Sequence, residues 1–197
     1  MPYSLFIGGA RSGKSSLAVQ RARAWFTPSE AFAGAKARDR NVVFVVTGVA
    51  GDAEMHERIT HHQRERDPAW TTVEAPLDLV EGVNTAIGHG RSSMVVLDCL
   101  SFWVANRLMD HGSDNRGGWA DAEASLVREL DEVVKLLGEH PAPSVVVTNE
   151  VGFGLVPDNP LGRQFRDSLG RMNAIVSFGA DTAFLVVAGR TLELSRP

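Results

Sequence analysis

Eight residues near the amino terminus, Gly8-Gly9-Ala10-Arg11-Ser12-Gly13-Lys14-Ser15, constrain this chain more than any other feature. They fit the pattern of glycine, four residues, then Gly-Lys-Ser/Thr. Tyr3-Ser4-Leu5-Phe6-Ile7 ahead of them reads as a short buried strand, and the stretch from Ser16 to Trp25 behind them as a helix with apolar residues at 17, 18, 22 and 25. Glycines let such a loop turn so that successive backbone N–H groups converge on phosphate oxygens, and the helix N-terminus adds its partial positive charge. Lys14 is expected to reach the outer phosphates from a solvent-accessible loop, and the Ser15 hydroxyl to bind Mg²⁺. A turn that only tightens a strand-to-helix connection would explain Gly8 or Gly13, but not a Lys-Ser pair in this register.

Further apolar runs at 42–47, 94–98, 144–148 and 182–187 alternate with helical segments. Each is nearly continuous rather than alternating, as parallel strands covered on both faces require. The expected fold is therefore α/β: a mostly parallel sheet with helices on both faces, in one domain over residues 1–197. Residues 189–194 follow a strand through a Gly-containing turn and are expected to add a C-terminal antiparallel edge strand. Residues 27–41 and 112–118 read as surface loops. At 197 residues the chain suits one well-buried domain. A net charge of −4 without a Lys/Arg block predicts no nucleic-acid partner and no membrane surface. The apolar runs are only strand length, so no membrane span is expected. The first strand starts so early that no leader is expected, and the single cysteine, Cys99, rules out an internal disulfide framework. A cytoplasmic enzyme is the expectation.

A phosphate-binding loop needs an acid at the end of another strand to organise the metal. Met94-Val95-Val96-Leu97-Asp98 supplies it in the Walker B arrangement, with Asp98 at the strand's carboxyl end. Asp98 could instead cap the helix that begins near Ser101. Thr148-Asn149-Glu150 puts further polar groups at the carboxyl edge of a strand, where open α/β sheets bind ligands. The Asn-Lys-x-Asp signature of guanine-reading switch proteins is absent.

Residues 52–66 form a third cluster. If helical, they set Glu54, Arg58, His62 and Arg66 at four-residue spacing on one face. A histidine among arginines suits an anionic phosphate better than a metal. The His61-His62 pair is expected to point to divergent helix faces, which makes a joint chelate improbable. A solvated charged helix with incidental histidines fits the spacing equally well.

Together these motifs resemble one family, the bifunctional adenosylcobinamide kinase / adenosylcobinamide-phosphate guanylyltransferase of cobalamin biosynthesis. The resemblance is carried by Gly8 to Ser15, by Asp52-Ala53-Glu54-Met55 with Arg58-Ile59 and His62, and by Trp70-Thr71-Thr72-Val73-Glu74. It continues through Leu97-Asp98-Cys99-Leu100, Thr148-Asn149-Glu150-Val151-Gly152, Val156-Pro157-Asp158-Asn159 and Arg163-Gln164-Phe165-Arg166-Asp167. It implies a phosphate-loop NTPase fold of RecA-like type that performs two reactions. ATP or GTP phosphorylates adenosylcobinamide; GTP then transfers GMP to adenosylcobinamide phosphate through a guanylylated histidine, releasing pyrophosphate. The family pattern assigns the nucleophile to His62, three residues after Ile59, with His61 as runner-up, and gives Lys14 a catalytic part. It implies nucleotide contacts by Gly8, Gly9, Ala10, Arg11, Ser12, Gly13, Lys14, Ser15, Thr47, Gly48, Val49, Gln63, Arg64, Glu65, Arg66, Glu74 and Asp98. Mg²⁺ would sit on Ser15 and Asp98, and the enzyme would be a homotrimer. The competing readings are a plain small-molecule kinase, which needs no histidine, and a nucleotide-dependent regulatory ATPase.

Overall fold

Six runs of Val, Leu, Ile and Phe, most of them without a polar break, pair side by side as parallel strands: β1 (Tyr3–Gly8), β2 (Asn41–Val46), β3 (Thr71–Glu74), β4 (Ser93–Asp98), β5 (Ser144–Asn149) and β6 (Thr182–Val187). A seventh, β7 (Arg190–Leu194), runs antiparallel to β6, and the sheet order is β3-β2-β4-β5-β1-β6-β7. The computed structural model describes residues 3–27, 39–113 and 118–196. Parallel neighbours cannot be joined by a tight turn, so helical crossovers return the chain: α1 (Lys14–Ala24), α2 (Ala53–Glu65), α3 (Leu79–Gly88), α4 (Leu100–Ser113), α5 (Trp119–Glu139) and α6 (Pro160–Gly179).

The pleat divides each apolar run between two cores. Leu5, Val43, Val45, Val95, Leu97 and Val146 face α3 to α6, whereas Phe6, Val42, Phe44, Met94, Val96 and Val147 face the side covered by α1. Burial on both faces is why the strands read as continuous rather than alternating. At roughly 1.5–3 kcal/mol per buried large side chain, these two layers dominate the driving force. The fold is thus the expected phosphate-loop α/β type, with the antiparallel strand at the carboxyl-terminal edge.

Three expectations need correction. Residues 71–74 form β3, a strand the apolar pattern does not single out: its four residues, Thr-Thr-Val-Glu, alternate half-buried and exposed, and pairing with Val43–Val46 makes them a strand. The expected loop at 112–118 begins too early, because α4 continues to Ser113; residues 114–117 lie outside the described residues. Of the loop expected at 27–41, residues 28–38 likewise lie outside them, and Asn41 already opens β2.

Gly82 in α3 permits the close approach of that helix to the sheet. A Cβ there would stand 2.4 Å from the Ala75 Cβ and 3.4 Å from the Val45 Cγ1. Gly82→Ala gains up to about 1 kcal/mol of helix propensity but forces an overpacked contact costing about 1–3 kcal/mol, neither neighbour being a flexible chain end. A lower urea midpoint is the expected result. An unchanged or higher midpoint would mean that α3 can shift off the sheet without cost.

Candidate active site

The carboxyl ends of the central strands align. Gly8 pairs with Asn149, Asp98 with Val147 and Val46, and Val46 with Glu74, so the loops after β1, β2, β3, β4 and β5 emerge along one edge. A cleft of about 810 Å³ opens there, lined by the loop of Arg11 to Ser15, by Asp98 and by much of α2.

Asp52, Asp78 and Asn159 cap α2, α3 and α6 through their side chains, but α1 begins at Gly13 with no side-chain cap. Its first N–H groups therefore remain available to an anion. Gly13 has φ 100°, a conformation that glycine tolerates, and a Cβ there would lie 3.2 Å from the Gly189 Cα. The β6–β7 turn braces the loop directly: Gly189 N donates to Ser12 O at 2.8 Å. Gly8 is just as confined, since a Cβ on it would fall 2.2 Å from Val186 O. The terminal hairpin thus fixes the shape of the phosphate loop from outside.

Lys14 departs from expectation. It is the first residue of α1 and only 6% exposed, not a side chain on an accessible loop. Its Nζ folds back across the loop, donating to Gly9 O at 2.6 Å and Ser12 Oγ at 3.2 Å, which holds the ammonium in the cleft lining.

Ser15 Oγ donates to Asp98 Oδ1 at 3.2 Å, bringing together the two oxygen-bearing side chains expected to serve the metal. A hydroxyl beside a carboxylate suits a hard cation such as Mg²⁺, which takes one or two protein oxygens and completes its shell with water and phosphate. Among the described residues no three His, Cys, Asp or Glu side chains gather as a metal site of their own. The other oxygen of Asp98 faces Arg66 Nη2 at 3.6 Å, with both side chains about nine-tenths buried. The Arg66 guanidinium also lies 4.3 Å from the centre of the Phe44 ring. Burial pulls its pKa below the ordinary arginine value, while the Asp98 and Glu65 carboxylates draw it back up. Arg66 is not on the helix face that four-residue spacing suggests. Its backbone is extended (φ −84°, ψ 152°), α2 ends at Glu65, and the side chain turns inward to Asp98.

Of the three histidines of α2, His56 does not line the cleft, but His61 and His62 both do, contrary to the expected divergence. Their ring centroids are 6.0 Å apart, because the cleft wraps around the end of the helix. They differ in exposure: the His61 side chain is 72% exposed and that of His62 34%. Glu65 lies between them, 3.6 Å from His61 Nε2 and 3.5 Å from His62 Nδ1. Gly48, Val49, Gln63 and Glu74 also line the cleft. Thr47 does not. It is fully buried and serves the backbone after Asp98, donating from Oγ1 to Cys99 O at 2.6 Å and accepting from Cys99 N at 3.2 Å. Arg64 is exposed and does not line the cleft, and neither do Gly8, Gly9 and Ala10, which precede Arg11 in the loop.

The wall that spacing could not reveal is apolar: Met55, Ile59 and Phe102 form a surface beside the phosphate loop suited to a flat ring. Asn149 is drawn in by its Nδ2 bond to Ser101 Oγ at 2.8 Å. Cys99 lines the cleft too, but burial and then the Asp98 carboxylate push its thiol up to about 11, so it stays protonated at neutral pH and is no nucleophile. No helix among the described residues is long and apolar enough to cross a membrane.

Residues 4–194 match the family model described as "Cobinamide kinase / cobinamide phosphate guanyltransferase". The chain is 35% identical over 188 residues to the bifunctional adenosylcobalamin biosynthesis protein CobU of Escherichia coli, covering 94% of this chain and 95% of that one. It is 34% identical to the CobU protein of Salmonella typhimurium with the same coverage. It is 33% identical over 190 residues to the bifunctional adenosylcobalamin biosynthesis protein CobP of Pseudomonas aeruginosa, covering 96% and 95%.

Proposed function

This chain belongs to the cobinamide kinase / cobinamide phosphate guanyltransferase family, and on that premise we propose that one cleft carries out both reactions. A nucleoside triphosphate, ATP or GTP, phosphorylates the hydroxyl of adenosylcobinamide. GTP then gives its GMP to adenosylcobinamide phosphate by way of a covalent histidine, and pyrophosphate leaves. One observation supports this above the others: the phosphate loop and the histidine-bearing helix α2 line the same cleft. A plain kinase needs the first and has no use for the second.

In the kinase step, the α1 N-terminus and Lys14 hold the phosphate chain while the γ-phosphoryl group passes directly to the acceptor. Ser15 and Asp98 would hold Mg²⁺, which supplies charge neutralisation on the phosphates when bound. In the transfer step His62 is the nucleophile, because it is the less solvated of the two histidines that line the cleft. Attack requires the imidazole in its neutral form, with a free lone pair on the attacking nitrogen. The nitrogen attacks the α-phosphorus, and the resulting phosphoramidate splits one difficult displacement into two. The homotrimer, which rests on the family resemblance alone, and the cytoplasmic location, expected from the sequence, are parts of the same proposal; light scattering tests the first.

Parallel incubations with GTP labelled at the α- or the γ-phosphate test the reading. Label from the α-position should stay on the denatured protein and then chase onto adenosylcobinamide phosphate, whereas γ-label should pass to adenosylcobinamide without ever residing on the protein. Absence of α-label on the protein would reduce the enzyme to a kinase.

Asp98→Asn tests the metal assignment. Losing a charged ligand interaction of about 1.5–3 kcal/mol should raise the Mg²⁺ concentration for half-maximal activity about 10- to 100-fold. Nucleotide docking should change far less, since backbone amides hold the phosphates. A titration of activity against Mg²⁺ with an unchanged midpoint would leave Asp98 only its contacts to Ser15 and Arg66.

A further inference from the structure

The geometry points to Glu65 as the positioning residue for His62, with the guanylyl group carried on Nε2; this rests on the covalent reading above. The His62 Nδ1 is shielded from solvent and has no hydrogen-bond partner, although the ring as a whole is 34% exposed. The exposed part of the ring is therefore its other edge, with Nε2 at the tip. Glu65 Oε2, three residues along α2, lies 3.5 Å from Nδ1. That is long for a hydrogen bond, and catalytic hydrogen bonds commonly stand long until the substrate is seated.

Two consequences follow from a carboxylate on that side. It favours the tautomer with the proton on Nδ1, which leaves the lone pair on Nε2 and faces it to the cleft. It also stabilises the positive charge that appears once Nε2 is phosphorylated. The steps balance without a proton transfer. The Nε2 lone pair forms a bond to the α-phosphorus, and the α-phosphorus–oxygen bond to pyrophosphate breaks. The product is a guanylyl-imidazolium that keeps its Nδ1 proton against Glu65. An oxygen of the acceptor phosphate then attacks the α-phosphorus, the P–Nε2 bond breaks, and neutral imidazole leaves with the same proton on Nδ1.

Glu65 is shared, its Oε1 lying 3.6 Å from His61 Nε2. His61 is the weaker candidate for the same service, because its 72% exposed side chain leaves water to compete for the carboxylate. This arrangement commits the adduct to one nitrogen and gives Glu65 a part in the rate rather than in GTP binding.

The test uses the full-length enzyme with α-labelled GTP, Mg²⁺ and no acceptor. The adduct is released by alkaline hydrolysis of the protein as guanylyl-histidine and compared with standards of histidine guanylylated on either nitrogen. Attachment at Nε2 is expected; attachment at Nδ1 overturns the inference and leaves the covalent reading standing. No adduct at all overturns both. In single-turnover labelling, Glu65→Ala should slow adduct formation about 10- to 100-fold at saturating GTP, as the loss of an orienting partner typically does, with KM for GTP little changed. Glu65→Gln, whose carbonyl still accepts from Nδ1–H, should recover part of that rate. ¹⁵N spectra should report Nδ1–H for His62 in the wild type and in Glu65→Gln, with a shift toward Nε2–H in Glu65→Ala. Wild-type labelling rate or an unmoved tautomer in Glu65→Ala overturns the positioning role, and a labelling loss accompanied by unfolding in its melting curve overturns it in favour of a structural one.

Discussion

Lys14→Ala is expected to lower turnover in both half-reactions by about 10²–10³-fold, the typical cost of deleting one preorganised donor to developing charge. The two proposed reactions strike different phosphorus atoms, but both leave charge on the same outer phosphates, and Lys14 is the cation proposed to meet them. Its Nζ is already tethered by Gly9 O and Ser12 Oγ, so the ammonium needs little reorganisation when a nucleotide enters. That tether also predicts what happens to the fold. The side chain is only 6% exposed, yet the acceptors it serves belong to a loop at the cleft, where water can replace it. The stability cost should be near about 1 kcal/mol, the net worth of an ordinary hydrogen bond. A cooperative melt within a few degrees of wild type, with both activities lost, is the expected pair of measurements. Near wild-type turnover of either reaction would remove Lys14 from phosphate binding.

The sheet was legible because burial on both faces leaves its mark in composition: four of the seven strands carry unbroken apolar runs, and β1 is interrupted only by Ser4. β3 carries no such mark, since it lies at the edge of the sheet and only alternate residues are half-buried. The phosphate loop was legible for a different reason: its glycines and its Lys-Ser pair answer to local geometry. Contacts set by distant parts of the chain were not. Nothing near Gly13 in sequence announces that Gly189 must pack on it. Four-residue spacing carried Arg66 onto the face of α2, whereas its extended backbone and its burial between Phe44 and Asp98 come from tertiary packing. The same blindness hides the part played by Thr47, whose contacts are to a backbone 52 positions away. Helical geometry alone separates His61 from His62 by about 100° and suggests different destinations. The cleft receives both at the end of α2, and since Glu65 lies about equally near each, the distinction between them lies in burial.

His62→Ala should abolish α-phosphate labelling of the protein and the transfer of GMP, while phosphorylation of adenosylcobinamide retains much of its rate. The separation follows from the chemistry. Direct γ-phosphoryl transfer uses positioning and charge neutralisation, supplied by the phosphate loop and Asp98, and forms no bond to the protein. Transfer of GMP through histidine must form one, and the wild-type bond should be acid-labile and alkali-stable, as a phosphoramidate is. His61→Ala is the matched control, because its ring lies 6.0 Å from that of His62 and lines the same cleft with far greater exposure. It should remain labelled. The His62 side chain is 34% exposed, so its truncation should leave the melting curve close to wild type. Labelling that survives in His62→Ala and disappears in His61→Ala would transfer the nucleophile to the neighbouring residue. Labelling unaffected by either change would end the histidine mechanism, leaving α2 as a solvated charged helix that happens to border a kinase site.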